Sequence, residues 1–301
     1  MTEAASTRPA VNQAGGVTAR ARRRPAWVRL ARIIALAVIV GVGVNHVWWS
    51  IADWHLSDMN AYWDAGMRIR HGEALYPPVS DAIASDVFRY SPWFAWLWTP
   101  ITFLPRELVN VAWSAVLLVA SAAALWPMMM RRAWIAVAFF LPILVGISAI
   151  GNVHPILIAG VVLTADRRSG PAAIGVAASL KLFPFLFVLT YIGRRQWTRA
   201  AITVLITATL LVPYLFYDLT YYVTSTGGTS AIWDQPIVYA VTVAAAAALA
   251  LYFAKSRNGW LTASATVVLA LPRFFVYDVT WIMAGLPRPA ADSPGARKPG
   301  A

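Results

Sequence analysis

Residues 107–150 read ELVNVAWSAVLLVASAAALWPMMMRRAWIAVAFFLPILVGISAI, two long apolar runs hinged on Arg131 and Arg132. At 1.5 Å per residue, a helix made of either run crosses, or nearly crosses, a hydrocarbon layer of ~30 Å. Neither run alternates apolar with polar residues, so neither reads as a strand of a membrane barrel. Residues 33–51, 198–217 and 236–254 repeat the pattern, again rich in Ala, Leu and Val. The 301-residue chain is 59% hydrophobic and 13% charged, and that charged share is about half that of a soluble domain. The sequence predicts an all-α polytopic membrane protein, a helical bundle with the lipid bilayer as its first partner.

The net charge of +12 has to be read by position before its sign is used. Basic residues stand beside the apolar runs: Arg20, Arg22, Arg23, Arg24, Arg29 and Arg32 before the first, then Arg131 with Arg132, Arg167 with Arg168, Arg194 with Arg195, and Lys255 with Arg257. This is the positive-inside pattern, not a groove-lining patch, so nucleic acid is not an expected partner. It predicts a multi-pass protein of the plasma membrane with a cytoplasmic N-terminus. Residues 1–32 read as a disordered basic cytoplasmic tail, 33–286 as the transmembrane domain and 287–301 as a second disordered tail. The run 33–51 is too long for a cleaved leader, and Trp48 with Trp49 suits an outer interfacial belt. With no cysteine in the chain, disulfides and thiolate chemistry are excluded.

That orientation puts residues 52–90 outside, as the longest polar connection in the chain. Asp53, Asp58, Asp64, Glu73, Asp81 and Asp86 lie there, nearly half of the 13 acidic residues. Polar chemistry is therefore expected on the extracytoplasmic side. Residues 171–192 and 259–286 conflict with simple spans, and hairpins resolve the conflict. In the first, Lys181 is placed near the apex and Pro184 breaks the helix; in the second, Pro272 and Arg273 turn the chain. A cation at apolar depth costs ~2.5–3.5 kcal/mol on insertion scales, so each invites a functional partner. Residues 91–105 are too short to span comfortably, and residues 139–165 read as two short helices turning at Gly151 and Asn152, with His154 and Pro155 following. Broken helices of this kind line cavities.

The order of these elements carries a resemblance. After the first apolar run come DMNAYWDAGMRIRHGEALYPP (58–78), FRYSPWFAWLWTPITFLP (88–105), GNVHPILIAG (151–160), LKLFPFLFVL (180–189) ahead of RRQW, and LPRFFVYD (271–278). Over roughly residues 30–285 the chain resembles the bacterial polyprenol-phosphate-mannose-dependent mannosyltransferases of glycosyltransferase family 87. The resemblance implies a GT-C-like bundle with its active site at the outer face, moving mannose from a lipid phosphate to a glycan or glycolipid acceptor. It implies an acidic general base in the first outer loop, for which Asp58 is the first choice and Asp53 the second.

The chemistry makes matching demands. A sugar hydroxyl attacking an anomeric carbon needs a carboxylate to take its proton, and a leaving phosphate needs positive charge. Asp58 is suited to the first task, and Lys181 and Arg273 to the second. Tyr62, Trp63, Tyr76, Tyr90, Asn152 and His154 are candidate sugar or lipid contacts. A single inverting displacement calls for no cofactor beyond the polyprenyl-phosphate sugar. His46, His55, His71 and His154 lack ligand spacing, so no tightly held metal is expected. Two other classes share parts of the pattern: a transporter, which also uses broken helices and midplane cations, and a non-catalytic scaffold.

Overall fold

The computed structural model describes residues 26–78, 87–222 and 234–286. Residues 1–25 and 287–301 of the expected tails, with Asp81 and Asp86, lie outside the described residues. Eleven α-helices follow in order: α1 (Ala26–Ala52), α2 (Ser57–His71), α3 (Pro92–Trp98), α4 (Arg106–Met130), α5 (Trp134–Ala149), α6 (His154–Thr164), α7 (Gly170–Leu180), α8 (Val188–Gly193), α9 (Trp197–Leu211), α10 (Pro236–Phe253) and α11 (Gly259–Leu269). Short 3-10 segments cover Thr99–Phe103, Phe183–Phe187, Val212–Phe216 and Val276–Ala284, and no strand occurs among the described residues. The protein is an all-α polytopic membrane protein. Among the described residues, four stretches are long and apolar enough to cross a bilayer: Leu36–His71, Arg106–Met130, Trp197–Phe216 and Pro236–Phe253.

The chain divides into a unit ending at Val38 and a unit from Ile39 onward. In the first, α1 is already helical at Ala26, ahead of the span expected from residue 33. Arginine is a good helix former, so a basic cluster marks where a helix leaves an apolar layer rather than where it begins to wind.

Within the second unit the run 133–150 becomes the 16-residue α5, shorter than the four long stretches. Turns take its ends: Arg132 adopts φ 56° before it and Gly151 φ 78° after it. The acidic connection also differs from its expectation as a loop, because residues 57–71 wind into α2. Met59, Tyr62, Trp63 and Gly66 are buried on one helical face, at the i, i+3, i+4, i+7 spacing that packs a helix onto a neighbour.

The short helices α6, α7 and α11 have 11 residues each and rise about 16 Å, half a hydrocarbon thickness. Both expected hairpins form. The Arg194 guanidinium meets the Asp166 carboxylate at 2.8 Å, which brings the two ends of the segment from α7 to α8 together. A Cβ on Gly285 would lie 2.4 Å from Leu261 Cα, so the Val276–Ala284 segment returns to the start of α11. The Arg194 Nε–H also donates to Ala254 O at 2.7 Å, which places the end of α10 there too. The Arg167, Arg194 and Lys255 pairs thus share one end of the unit. The Arg131 pair joins them, because α4 starts at the opposite end, where the Trp113 indole N–H donates to Gly151 O at 2.8 Å.

Candidate active site

The end opposite the basic pairs is built on the turn between α5 and α6. The last carbonyls of α5 have no partner within their own helix. Leu56 N–H donates to Ala149 O at 3.0 Å and Asp58 N–H to Ile150 O at 2.8 Å, so the start of α2 caps the end of α5. To reach both, Leu56 takes a left-handed φ of 52°, a conformation that a leucine enters only at a cost of ~1 kcal/mol or more. Gly151 makes the approach possible. A Cβ there would stand 2.7 Å from Met59 Cβ, and its own φ of 78° suits only glycine without strain. Asp58 is thereby fixed in the first turn of α2, where the helix dipole favours a carboxylate.

Its side chain is held as firmly. The Asn152 amide N–H donates to Asp58 Oδ2 at 2.5 Å and to the Tyr90 hydroxyl at 3.3 Å. Asn152 Oδ1 accepts from His154 N–H at 2.9 Å, an Asx turn at the head of α6. The Tyr62 hydroxyl donates to that of Tyr90 at 3.2 Å and accepts from Val153 N–H at 3.2 Å. Lys181, Arg89 and His55 lie within electrostatic range of Asp58. Lys181 is also within range of Arg273 and Asp278, and its ammonium sits 4.6 Å from the centre of the Tyr277 ring. Asp278, buried, accepts from Phe275 N–H at 3.0 Å. Lys181 and Arg273, 92 residues apart in the chain (273 − 181), thus lie within electrostatic range of each other.

Asp53 does not join them. Its carboxylate is 79% exposed and pairs with His55 at 3.4 Å. The expected sugar or lipid contacts divide. Tyr62, Trp63, Tyr76, Asn152 and His154 are buried, with rings and amides already covered by protein, while Tyr90 keeps exposed surface. Tyr62 packs edge-on against Phe94 at 4.9 Å, and Tyr76 lies parallel to Phe88 at 6.1 Å. In this conformation these side chains shape the site from behind and present no open face to a sugar. His154 is a buried partner of Thr280: the Thr280 hydroxyl donates to Tyr277 O at 2.6 Å, so it accepts from His154 Nε2 at 2.7 Å. His154 Nδ1 then carries a lone pair with no partner. Among the described residues no three His, Asp or Glu side chains gather as a metal would require.

Arg89 and Asp278 are not among the site residues expected from sequence, although both lie within the quoted motifs at 88–105 and 271–278. Beside the site a cavity of about 520 Å³ opens between the end of α1 and α5, with Trp49, Asp53, His55, Ile147 and Tyr277 among its walls. Gly146 lets α5 lie close against the His46 side chain, which a Cβ there would strike.

Comparison with curated proteins and with solved structures found no match. The sequence model of glycosyltransferase family 87 matches residues 88–277, a span that holds Arg89, Tyr90, Asn152, His154, Lys181, Arg273 and Tyr277 and begins after Asp58. With more than half of its residues in that match, the chain belongs to glycosyltransferase family 87, a family of membrane glycosyltransferases.

Proposed function

We propose that the protein transfers a hexose, with mannose as the first candidate, from a polyprenyl-phosphate donor to an extracytoplasmic glycan or glycolipid acceptor. The observation that carries this reading is one pinned, partly exposed carboxylate, Asp58, at the end away from the basic pairs, with Lys181 within electrostatic range of it and Arg273 within range of Lys181. The acceptor hydroxyl gives its proton to Asp58 as its oxygen bonds to the anomeric carbon. The bond from that carbon to the phosphate oxygen breaks, and the phosphate leaves with the electron pair. Lys181 acts as a point charge and Arg273 as a planar fork on the departing phosphate, where charge develops in the transition state. One displacement inverts the anomeric centre and needs neither a covalent enzyme intermediate nor a cofactor.

The basic pairs favour the cytoplasm for their own end, and on this reading the site faces outward from the plasma membrane. The cavity beside Tyr277, with Trp49, Ile143 and Ile147 among its walls, has apolar surface suited to the first isoprene units of the donor. A transporter would need polar access at both ends in turn, whereas the end away from Asp58 is tied by Arg194 and Asp166. The test is sugar transfer from radiolabelled polyprenyl-phosphate mannose in membranes containing the protein. Label in an extracytoplasmic product that vanishes with Asp58→Asn supports the reading; equal transfer by both proteins overturns it.

A further inference from the structure

We infer that Asn152 is a positioning residue for Asp58, holding one carboxylate oxygen so that the other faces the acceptor, and is not a substrate contact. The inference rests on the reading of Asp58 as the base. Three observations carry it. Asn152 is only 3% exposed, so its amide cannot reach a sugar without the turn opening. Its orientation is settled by its neighbours: Oδ1 accepts from His154 N–H, and a flipped amide would set that oxygen against the Asp58 carboxylate. Its N–H groups then go to Asp58 Oδ2 and the Tyr90 hydroxyl.

Asp58 is therefore gripped twice by one turn, through its backbone N–H on Ile150 O and its Oδ2 on Asn152. Among the described residues, no side chain or backbone N–H occupies Oδ1, and no cation stands at salt-bridge distance from the carboxylate. Oδ1 is the oxygen left to take the acceptor's proton. A neutral amide suits this task, because it fixes the carboxylate without neutralising it as a guanidinium would. A carboxylate free to rotate loses the near-attack geometry, and a misplacement of about 1 Å can cost ~10²-fold in rate.

The experiment compares Asn152→Ala and Asn152→Ser in the full-length protein. The serine retains an acceptor for His154 N–H, and so the turn, while its shorter side chain withdraws the amide N–H that reaches Asp58. Both variants should lose about 10–100-fold in kcat with KM for the donor changed less than about threefold. In the Asp58→Asn background, Asn152→Ser should produce no further loss, since there is no base left to position. A folded Asn152→Ser with normal kcat overturns the inference, as does a raised KM with unchanged kcat, or an equal loss in the Asp58→Asn background. A readout without turnover separates this from failure of the mannosyl-transfer reading. Modification of Asp58 by a water-soluble carbodiimide, followed by mass spectrometry, should change several-fold in Asn152→Ser, and an unchanged rate overturns the positioning role even if no sugar donor is ever found.

Discussion

Two carboxylates sit at opposite ends of α6 and are held in opposite ways. Asp166, just past its last turn, has Oδ1 shared by the Arg194 guanidinium at 2.8 Å and the Trp260 indole N–H at 2.8 Å, while its backbone carbonyl accepts from Arg199. Asp58, beside the first turn of α6, meets a neutral amide, and its cations stand off within electrostatic range. A carboxylate neutralised by a bonded arginine has its charge committed to the fold. One that is oriented but not neutralised keeps its basicity for a substrate. The difference separates a clamp that ties α6, α8, α10 and α11 from a carboxylate left open at the candidate site.

The comparison can be broken by experiment. The largest contrast is all-or-none and concerns sidedness. The cysteine-free chain allows single cysteines at Glu73 and Ser169, both exposed and at opposite ends, to be labelled with an impermeant maleimide. Glu73→Cys should label from outside and Ser169→Cys only after the membrane is opened; the reverse result removes the active site from the outer face. Next in size, Asp58→Asn should cost ~10²–10⁴ in transfer rate with the protein still inserted and abundant, since a general base is lost and the helical core is untouched. Asp53→Asn should cost less than Asp58→Asn, because its carboxylate lines the neighbouring cavity and is not held by Asn152. The opposite ranking would mean that Asp53, not Asp58, is the base.

Smaller effects are expected from the cations. Lys181→Met or Arg273→Met should weaken binding of bare polyprenyl phosphate roughly tenfold or more, by loss of a charged contact of ~1.5–3 kcal/mol. Asp58→Asn should spare that binding. If both cation variants bind the lipid phosphate normally while folded, the phosphate sits elsewhere. The smallest effect belongs to the other carboxylate. Asp166→Asn should lower stability by about 1 kcal/mol, a modest figure because its carboxylate is half exposed and screened. Its kcat should stay unchanged, and a large loss there would erase the distinction between clamp and site.

Much of this was legible along the chain. The Arg131, Arg167 and Arg194 pairs announced a common end, and the clash between those charges and a simple span over residues 171–192 announced a hairpin. Pro184 and Pro272 marked where helices stop, because a ring nitrogen cannot continue the ladder. The helix α2 was hidden by its charges, although Met59, Tyr62, Trp63 and Gly66 already carried the spacing of a packed face. The bonds of Asn152 to Asp58 and of His154 to Thr280 span 94 and 126 residues, and no local pattern encodes them.

The sequence by itself determined which apolar segments are helical and which of their ends bear the positive charge, because burial in hydrocarbon and attraction to one membrane face act on each segment locally. Only the tertiary structure decided which of the acidic residues described in the connection is held by the turn between α5 and α6, and which of the aromatic and amide candidates are buried. Those outcomes depend on contacts made after the helices pack: the left-handed Leu56, the glycine turn at 151 and the amide of Asn152 converge on Asp58 and pass Asp53 by. A carboxylate's role is set by its neighbours in space, and these neighbours are assembled from segments far apart in the chain.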